Sequence, residues 1–248
     1  MDRVTVLNVP IDPLTRRDAL ERIKAMLVVP RPQQVITVNS EMFVESERNP
    51  SFKTLLQASD LNLPDGTGLL WAAAFTNQKI PERVTGVDTV QKLCSFLGPE
   101  HPVFLLGAGE GVATKAAEVL CQRNPHLKIV GTFAGSPKDA DAPAIIAKIH
   151  EAKPHLLLVA YGSPHQEQWI TKHLHKLPTL RIAMGVGGTF DFLAGIQKRA
   201  PKFLQGMGLE WAWRLLHDPR RIGRIFNAVV VFPLLILRAG QHPHVTAR

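Results

Sequence analysis

Val103-Phe-Leu-Leu-Gly-Ala-Gly-Glu-Gly-Val-Ala-Thr-Lys-Ala-Ala-Glu-Val-Leu-Cys-Gln-Arg123 decides the fold of this 248-residue chain. Val103 to Leu106 are apolar without alternation, as in a strand covered on both faces, and Val112 to Arg123 repeat their apolar positions at helical spacing. Three glycines, Gly107, Gly109 and Gly111, make the turn between them. The same alternation runs outward in both directions. Val4 to Val9, Val35 to Val38, Leu61 to Leu63, Lys128 to Val130, Leu156 to Ala160 and Arg181 to Met184 predict further strands. Thr15 to Leu27, Thr67 to Phe75, Asp88 to Leu97, Pro143 to Glu151 and Pro164 to His175 predict the helices between them. Thr15 with Asp18, and Asp88 with Gln91, have the spacing of capping-box helix starts. Strand and helix in alternation define an α/β fold, a Rossmann-like, mostly parallel sheet with helices on both faces. Strand signals stop near Gly195, and two helical patterns follow, Ala200 to His217 and Pro219 to Leu237. The expected organisation is a catalytic domain over 1–195 and a helical, membrane-associating appendage over 196–248.

Charge separates the two parts as clearly as periodicity does. From Lys198 to Arg248 nine Lys and Arg stand against two acids, Glu210 and Asp218, which is +7 of the formal +8. The same stretch holds Trp211, Trp213 and an apolar run from Ile225 to Leu237. Basic, aromatic and apolar residues together suit an anionic membrane surface; the run is shorter than the roughly 20 residues of a spanning helix, so the expectation is a tail lying in the interface. No aromatic-basic single-strand motif accompanies the charge, which argues against nucleic acid. A hydrophobic content of 45% with 20% charged residues excludes both disorder and a polytopic membrane protein. Cys94 and Cys121 fall in helical patterns, and the N-terminus reads as a strand without an apolar leader, so a reducing cytosolic compartment is expected.

Open parallel sheets bind ligands at the carboxyl ends of their strands, where the informative loops fall. Gly107 and Gly109 can offer backbone N–H groups to a phosphate, or can simply make a tight turn. Their GxGxG spacing, with no acid about 20 residues on, departs from the dinucleotide fingerprint and argues against a dehydrogenase. Gly187 and Gly188 permit close approach of a ligand, and Asp191 can accept hydrogen bonds from a ribose or base. Gln166 and Glu167 are placed at a helix start facing the cleft, with Trp169 packed beneath. Thr37 and Asn39 put short polar groups at a strand end, where Asn39 or Ser40 can equally cap the next helix. Asp65, between Pro64 and Gly66, is the candidate base; with an ordinary value near 4 it needs burial, or proton transfer concerted with departure of the leaving group. Asp139-Ala-Asp141 spells DxD but sits at a helix start, where capping and dipole compensation account for it. No metal is required by the sequence, and HExxH and GxSxG are absent.

Thr37-Val-Asn39, Leu63-Pro-Asp-Gly66, Arg83-Val-Thr-Gly-Val-Asp88, Gly162-Ser-Pro-His-Gln-Glu167, Gly185-Val-Gly-Gly-Thr-Phe-Asp191, Arg199-Ala-Pro201 and Gly208-Leu-Glu-Trp211 stand in series. In order and spacing, from about Val4 to Arg224, the chain resembles the WecG/TagA/CpsF glycosyltransferases. The resemblance implies an inverting, metal-independent transfer of an N-acetylmannosamine-like sugar from a UDP donor to a polyprenyl-diphosphate-linked sugar at the cytoplasmic face of the membrane, in surface-polysaccharide or teichoic acid synthesis. It implies no cofactor beyond the UDP-sugar substrate, Asp65 as catalytic base, and Thr37, Asn39, Arg83 and Gln166 as pocket residues. Arg214, Arg221 and Arg224 are implied to face diphosphate from an appendage that closes over the pocket. The segments between the motifs and the tail after Arg224 depart from the family pattern, which leaves the donor sugar open. A homo-oligomer is left open as well. The reading from a different class is a non-catalytic module that binds a nucleotide-sugar or phospholipid.

Overall fold

A computed structural model of the chain describes residues 2–240. Arg248, counted in the basic tail, and the rest of 241–248 lie outside the described residues. Eight strands are present: β1 (Val4–Val6), β2 (Val9–Ile11), β3 (Gln33–Val38), β4 (Leu61–Pro64), β5 (Val103–Gly107), β6 (Ile129–Phe133), β7 (Leu156–Ala160) and β8 (Ile182–Gly185). Six of them form one parallel sheet in the order β4-β3-β8-β7-β5-β6, the α/β architecture the alternating pattern predicts. Every residue of β5 and β7 is buried, since helices cover both faces of the sheet there.

The first segment differs from its sequence reading. Val4 to Val9 is not one strand, because the chain reverses at Leu7 and Asn8, whose φ angles of 45° and 64° are those of a tight hairpin turn, and Val6 pairs with Val9. No glycine marks the turn, so the apolar pattern hides it. The hairpin covers the β4 edge. The backbone N–H of Asp12 donates to the Asn62 carbonyl at 2.8 Å, and the fully buried Asn62 amide donates to the carbonyls of Pro10 and Leu56. Two helices unassigned from sequence, Ser40–Arg48 and Pro50–Ala58, share Asn49, which ends the first and caps the second. The helix read from Asp88 begins earlier, at Gly86: Thr85 is the N-cap, accepting from the Asp88 N–H, so the capping box is Thr85 with Asp88 and not Asp88 with Gln91. At Thr15 the expected cap is found.

After β8 the described residues are all helix and loop. The expected helix over Ala200 to His217 is two, Lys202–Gly206 and Glu210–His217, divided where Gly208 takes a φ of 74° against Thr67. Beyond Asp218 the chain is helical from Pro219 to Gly240, 22 residues that include an 18-residue window with a mean hydropathy of 1.8. Counting only Ile225 to Leu237 excluded a span on length; the helical run is longer than the apolar stretch, and by length and composition it is sufficient to cross a bilayer. Two of its residues nonetheless pack into the body. Phe232 and Ile236 are buried in the same apolar cluster as Ile36, Phe43 and Leu69 of the body, with the Phe232 and Phe43 rings 5.7 Å apart. Phe232→Ala is expected to cost about 3–5 kcal/mol in urea unfolding, while Phe226→Ala on the exposed side of the same run should stay within about 0.5 kcal/mol.

Candidate active site

Asp65 lies one residue past β4, where its N–H donates to the Val38 carbonyl at 2.7 Å and locks the ends of β3 and β4 together. Its carboxylate accepts from the Gly86 N–H at 3.2 Å, at the start of the helix Gly86–Cys94. Thr37 of β3 stands at the same point: a Cβ added to Gly86 would come within 3.2 Å of Thr37 Oγ1 and 3.9 Å of Asp65 Oδ2. Burial pushes the Asp65 carboxyl above its ordinary value, opposed by the Gly86 N–H and the charges of Arg214 and Arg83, and reinforced by Glu210.

A cavity of about 440 Å³ opens beside this carboxylate. Asn39, Asp65 and Arg83 from the body line it together with Arg214 and Arg221 from the tail. Glu210 joins the two parts, accepting from Arg83 Nη1 at 3.1 Å and from Arg214 Nη2 at 2.9 Å. Burial pushes the Glu210 carboxyl up, but Arg214 and Arg83 outweigh it and hold it below the ordinary range. Arg214 Nε is buried without a protein partner, and its guanidinium lies 5.6 Å from the Phe192 ring. Arg221 pairs with Asp218 at 2.8 Å, and Arg224 pairs at 2.7 Å with Glu41, itself a cavity residue. A second latch ties tail to body, Arg199 on Asp88 and Thr85, which holds Asp88 down at about 2.

Asn39 has both roles its sequence allowed, capping the helix Ser40–Arg48 through Met42 N–H and lining the cavity. Gln166 and Glu167 are buried rather than turned to the cleft. Gln166 Oε1 accepts from the N–H groups of Gly162 and Gly187, and its Nε2 donates to Glu167, so the amide staples the loops after β7 and β8. Gly187 and Gly188 open the short helix Thr189–Leu193, which carries Asp191; burial raises the Asp191 carboxyl and the Arg221 charge opposes the rise. Gly107 and Gly109 stand at the end of β5, and Gly107 lies so close to Ala160 that a Cβ would meet its backbone at 2.8 Å. None of Gly107, Gly109, Gly187, Gly188, Asp191, Thr37, Gln166 or Arg224 lines the cavity beside Asp65. Arg224 belongs to the tail helix Ile222–Phe226, while the others stand at or just past strand carboxyl ends, with β5 leading toward β6 on one side and β7 toward β8 on the other. Such a divergence is where open α/β sheets form a ligand crevice.

The DxD pair serves local structure: Asp139 pairs with Lys172 at 2.7 Å, and Asp141 accepts from Ser136. Among the described residues no group of three or more His, Cys, Asp or Glu side chains is placed to hold a metal. Sequence reasoning assigned no role to Glu210. Its signal was its rarity, one of two acids in a strongly basic tail.

The family model for glycosyl transferases of the WecG/TagA/CpsF family matches residues 4–244. The chain belongs to that family. It is similar to the N-acetylglucosaminyldiphosphoundecaprenol N-acetyl-beta-D-mannosaminyltransferase of Bacillus spizizenii, 33% identical over 86% of this chain and 83% of that one. It is 28% identical to the Staphylococcus aureus (strain MRSA252) protein of the same name over 96% and 94% of the two chains, and 30% identical to that of Bacillus subtilis over 84% and 80%. The glycosyltransferase expectation therefore stands.

The Asp88–Arg199 latch carries a pH signature. A carboxyl depressed by folding adds stability that is complete above its unfolded value near 4 and is lost as pH falls toward about 2. Thermal unfolding of Arg199→Gln should accordingly depend less on pH between about 4 and 2 than that of the unaltered protein.

Proposed function

We propose that the protein is an inverting, metal-independent glycosyltransferase that moves an N-acetylmannosamine-like sugar from a UDP donor to a polyprenyl-diphosphate-linked sugar, in cell-surface polysaccharide synthesis. The observation that carries this reading is one cavity in which a carboxyl raised by burial stands among arginines from both body and tail. The names of the relatives supply the acceptor and the sugar.

Asp65 takes the proton of the acceptor hydroxyl as its oxygen attacks the anomeric carbon from the side opposite the nucleotide. The bond from that carbon to the UDP oxygen breaks, and its electron pair leaves with UDP, so the configuration inverts. Burial brings the Asp65 value nearer to neutral pH, where a carboxylate is a better general base. The charge gathering on departing UDP falls to preorganised N–H groups and arginines. Gly107, Gly109, Gly187, Gly188 and Asp191 form the nucleotide side of the rim; Thr37, Asn39, Arg83 and Gln166 set the sugar pocket, Gln166 by fixing the Gly162 and Gly187 loops; Arg214, Arg221 and Arg224 meet diphosphate. Tail arginines over the cavity also keep out water that would hydrolyse the donor.

The acceptor reading places the protein peripherally, on the inner face of the membrane. Leu216, Ile222, Phe226 and Leu234 are more than half exposed in the tail beside Arg220 and Arg224, the combination expected of an interfacial surface.

Transfer is tested with radiolabelled UDP-N-acetylmannosamine and a short-chain lipid-diphosphate N-acetylglucosamine. Asp65→Asn should lower kcat by about 10²–10⁴ while calorimetric UDP affinity is kept; near-normal turnover removes Asp65 from the chemistry. In the unaltered enzyme kcat/KM should rise with pH through a value above the ordinary carboxylate range near 4, because the base works ionised and burial delays its ionisation. Leu216→Asp with Phe226→Asp should release the protein from phosphatidylglycerol vesicles, and added salt should weaken binding of the unaltered protein. Retention by the double variant would mean that another surface holds the membrane.

A further inference from the structure

The cavity beside Asp65 has a second wall with no part in the chemistry above. Opposite in character to Arg83, Arg214 and Arg221, it is made by Trp71 from the helix Thr67–Phe75 and by Ile225, Val229 and Pro233 from the terminal helical run. The aliphatic members have no side-chain donor or acceptor to offer a sugar or a nucleotide. Trp71 and Val229 are 42% and 39% exposed, and the Trp71 ring stacks on Phe75 at 5.6 Å. Large apolar side chains kept open to water inside a concave site that arginines also line describe a ligand that is itself part charged and part hydrocarbon.

We propose that this wall is a subsite for the first isoprene units of the acceptor's lipid tail, so that the enzyme binds the tail and diphosphate together rather than the diphosphate alone. The inference rests on the reading of the acceptor as a prenyl diphosphate. The cavity's arginines match the diphosphate, and its apolar side chains match the hydrocarbon chain that leaves it. A single tail is favoured over the bilayer surface because these residues line a cavity, while Leu216, Phe226 and Leu234 lie outside it and are the ones left to face lipid. Trp71 belongs to the body, so the tail of the acceptor would bridge body and appendage. It would reward closure only for a lipid-borne acceptor.

The test is calorimetric and independent of turnover. Farnesyl diphosphate and inorganic diphosphate are titrated into the full chain, without vesicles and below the micelle concentration. Farnesyl diphosphate should bind at least about tenfold more tightly, since burying even two or three methylene groups is worth that factor. Trp71→Ala with Val229→Ser should bring the ratio below about threefold and leave the affinity for inorganic diphosphate unchanged, with unfolding temperature confirming the fold. Equal affinities in the unaltered protein, or a gap that survives the double variant, would overturn the subsite. A double variant that loses vesicle binding but keeps the gap would also overturn it, by turning the wall toward the bilayer. If no UDP-sugar supports transfer while the gap stands and closes in the variant, the transfer reading falls and the tail subsite remains.

Discussion

Glu210 sits between Arg83 of the body and Arg214 of the tail, and that shared carboxylate joins the two parts across the cavity beside Asp65. Without it two guanidinium groups would face each other beside Asp65 in a partly buried space, where like charges repel most strongly. With it, a tail carrying most of the chain's net positive charge is drawn over the carboxyl ends of β3 and β4. The pair is a poor source of net stability, since desolvating charges offsets most of their attraction. Its effect is positional: it fixes which arginines stand near the Asp65 carboxyl and adds a negative charge that helps keep Asp65 raised.

Apolar packing supplies what the ion pairs do not. Phe232 and Ile236 anchor the terminal run in the body's core, and Arg199 on Asp88 and Arg224 on Glu41 add polar latches along the way. A tail held at a few points, with Leu216, Ile222 and Phe226 left in water, is suited to settle when another surface covers those side chains. Under the proposed function, transfer would use the same arrangement: arginines close enough to meet a diphosphate, and a cover that excludes water while a sugar changes hands. One segment thus carries both the exposed apolar side chains and the arginines that line the cavity.

Much of the body was legible because its signals are local. Leu156 to Ala160 is apolar on every residue and is a central strand; Thr15 caps its helix as its spacing with Asp18 predicts. The misreadings were also local, in the other sense. Leu7 and Asn8 turn without a glycine, and Thr85 rather than Asp88 begins a helix because the hydroxyl two residues after Arg83 reaches the Asp88 N–H first. Gln166 was placed near the cleft by its motif, yet only the folded loops show its amide fastening Gly162 to Gly187. The 22-residue length of the terminal helix was hidden because its first turns are basic, and charge masks helical continuity when only apolar residues are counted.

By itself the sequence determined that the sheet is parallel and that its loops carry the site. Runs of apolar residues and the turns between them depend only on neighbours in the chain, and so does the concentration of positive charge in the last fifth. Tertiary structure alone decided which of those loops meet. Asp65, Arg83 and Glu210 are separated by up to 145 residues in the numbering and gather in one cavity because β3 and β4 end side by side and Phe232 brings the tail back across them. Contact between distant residues is set by packing and strand order, and no spacing along the chain encodes it.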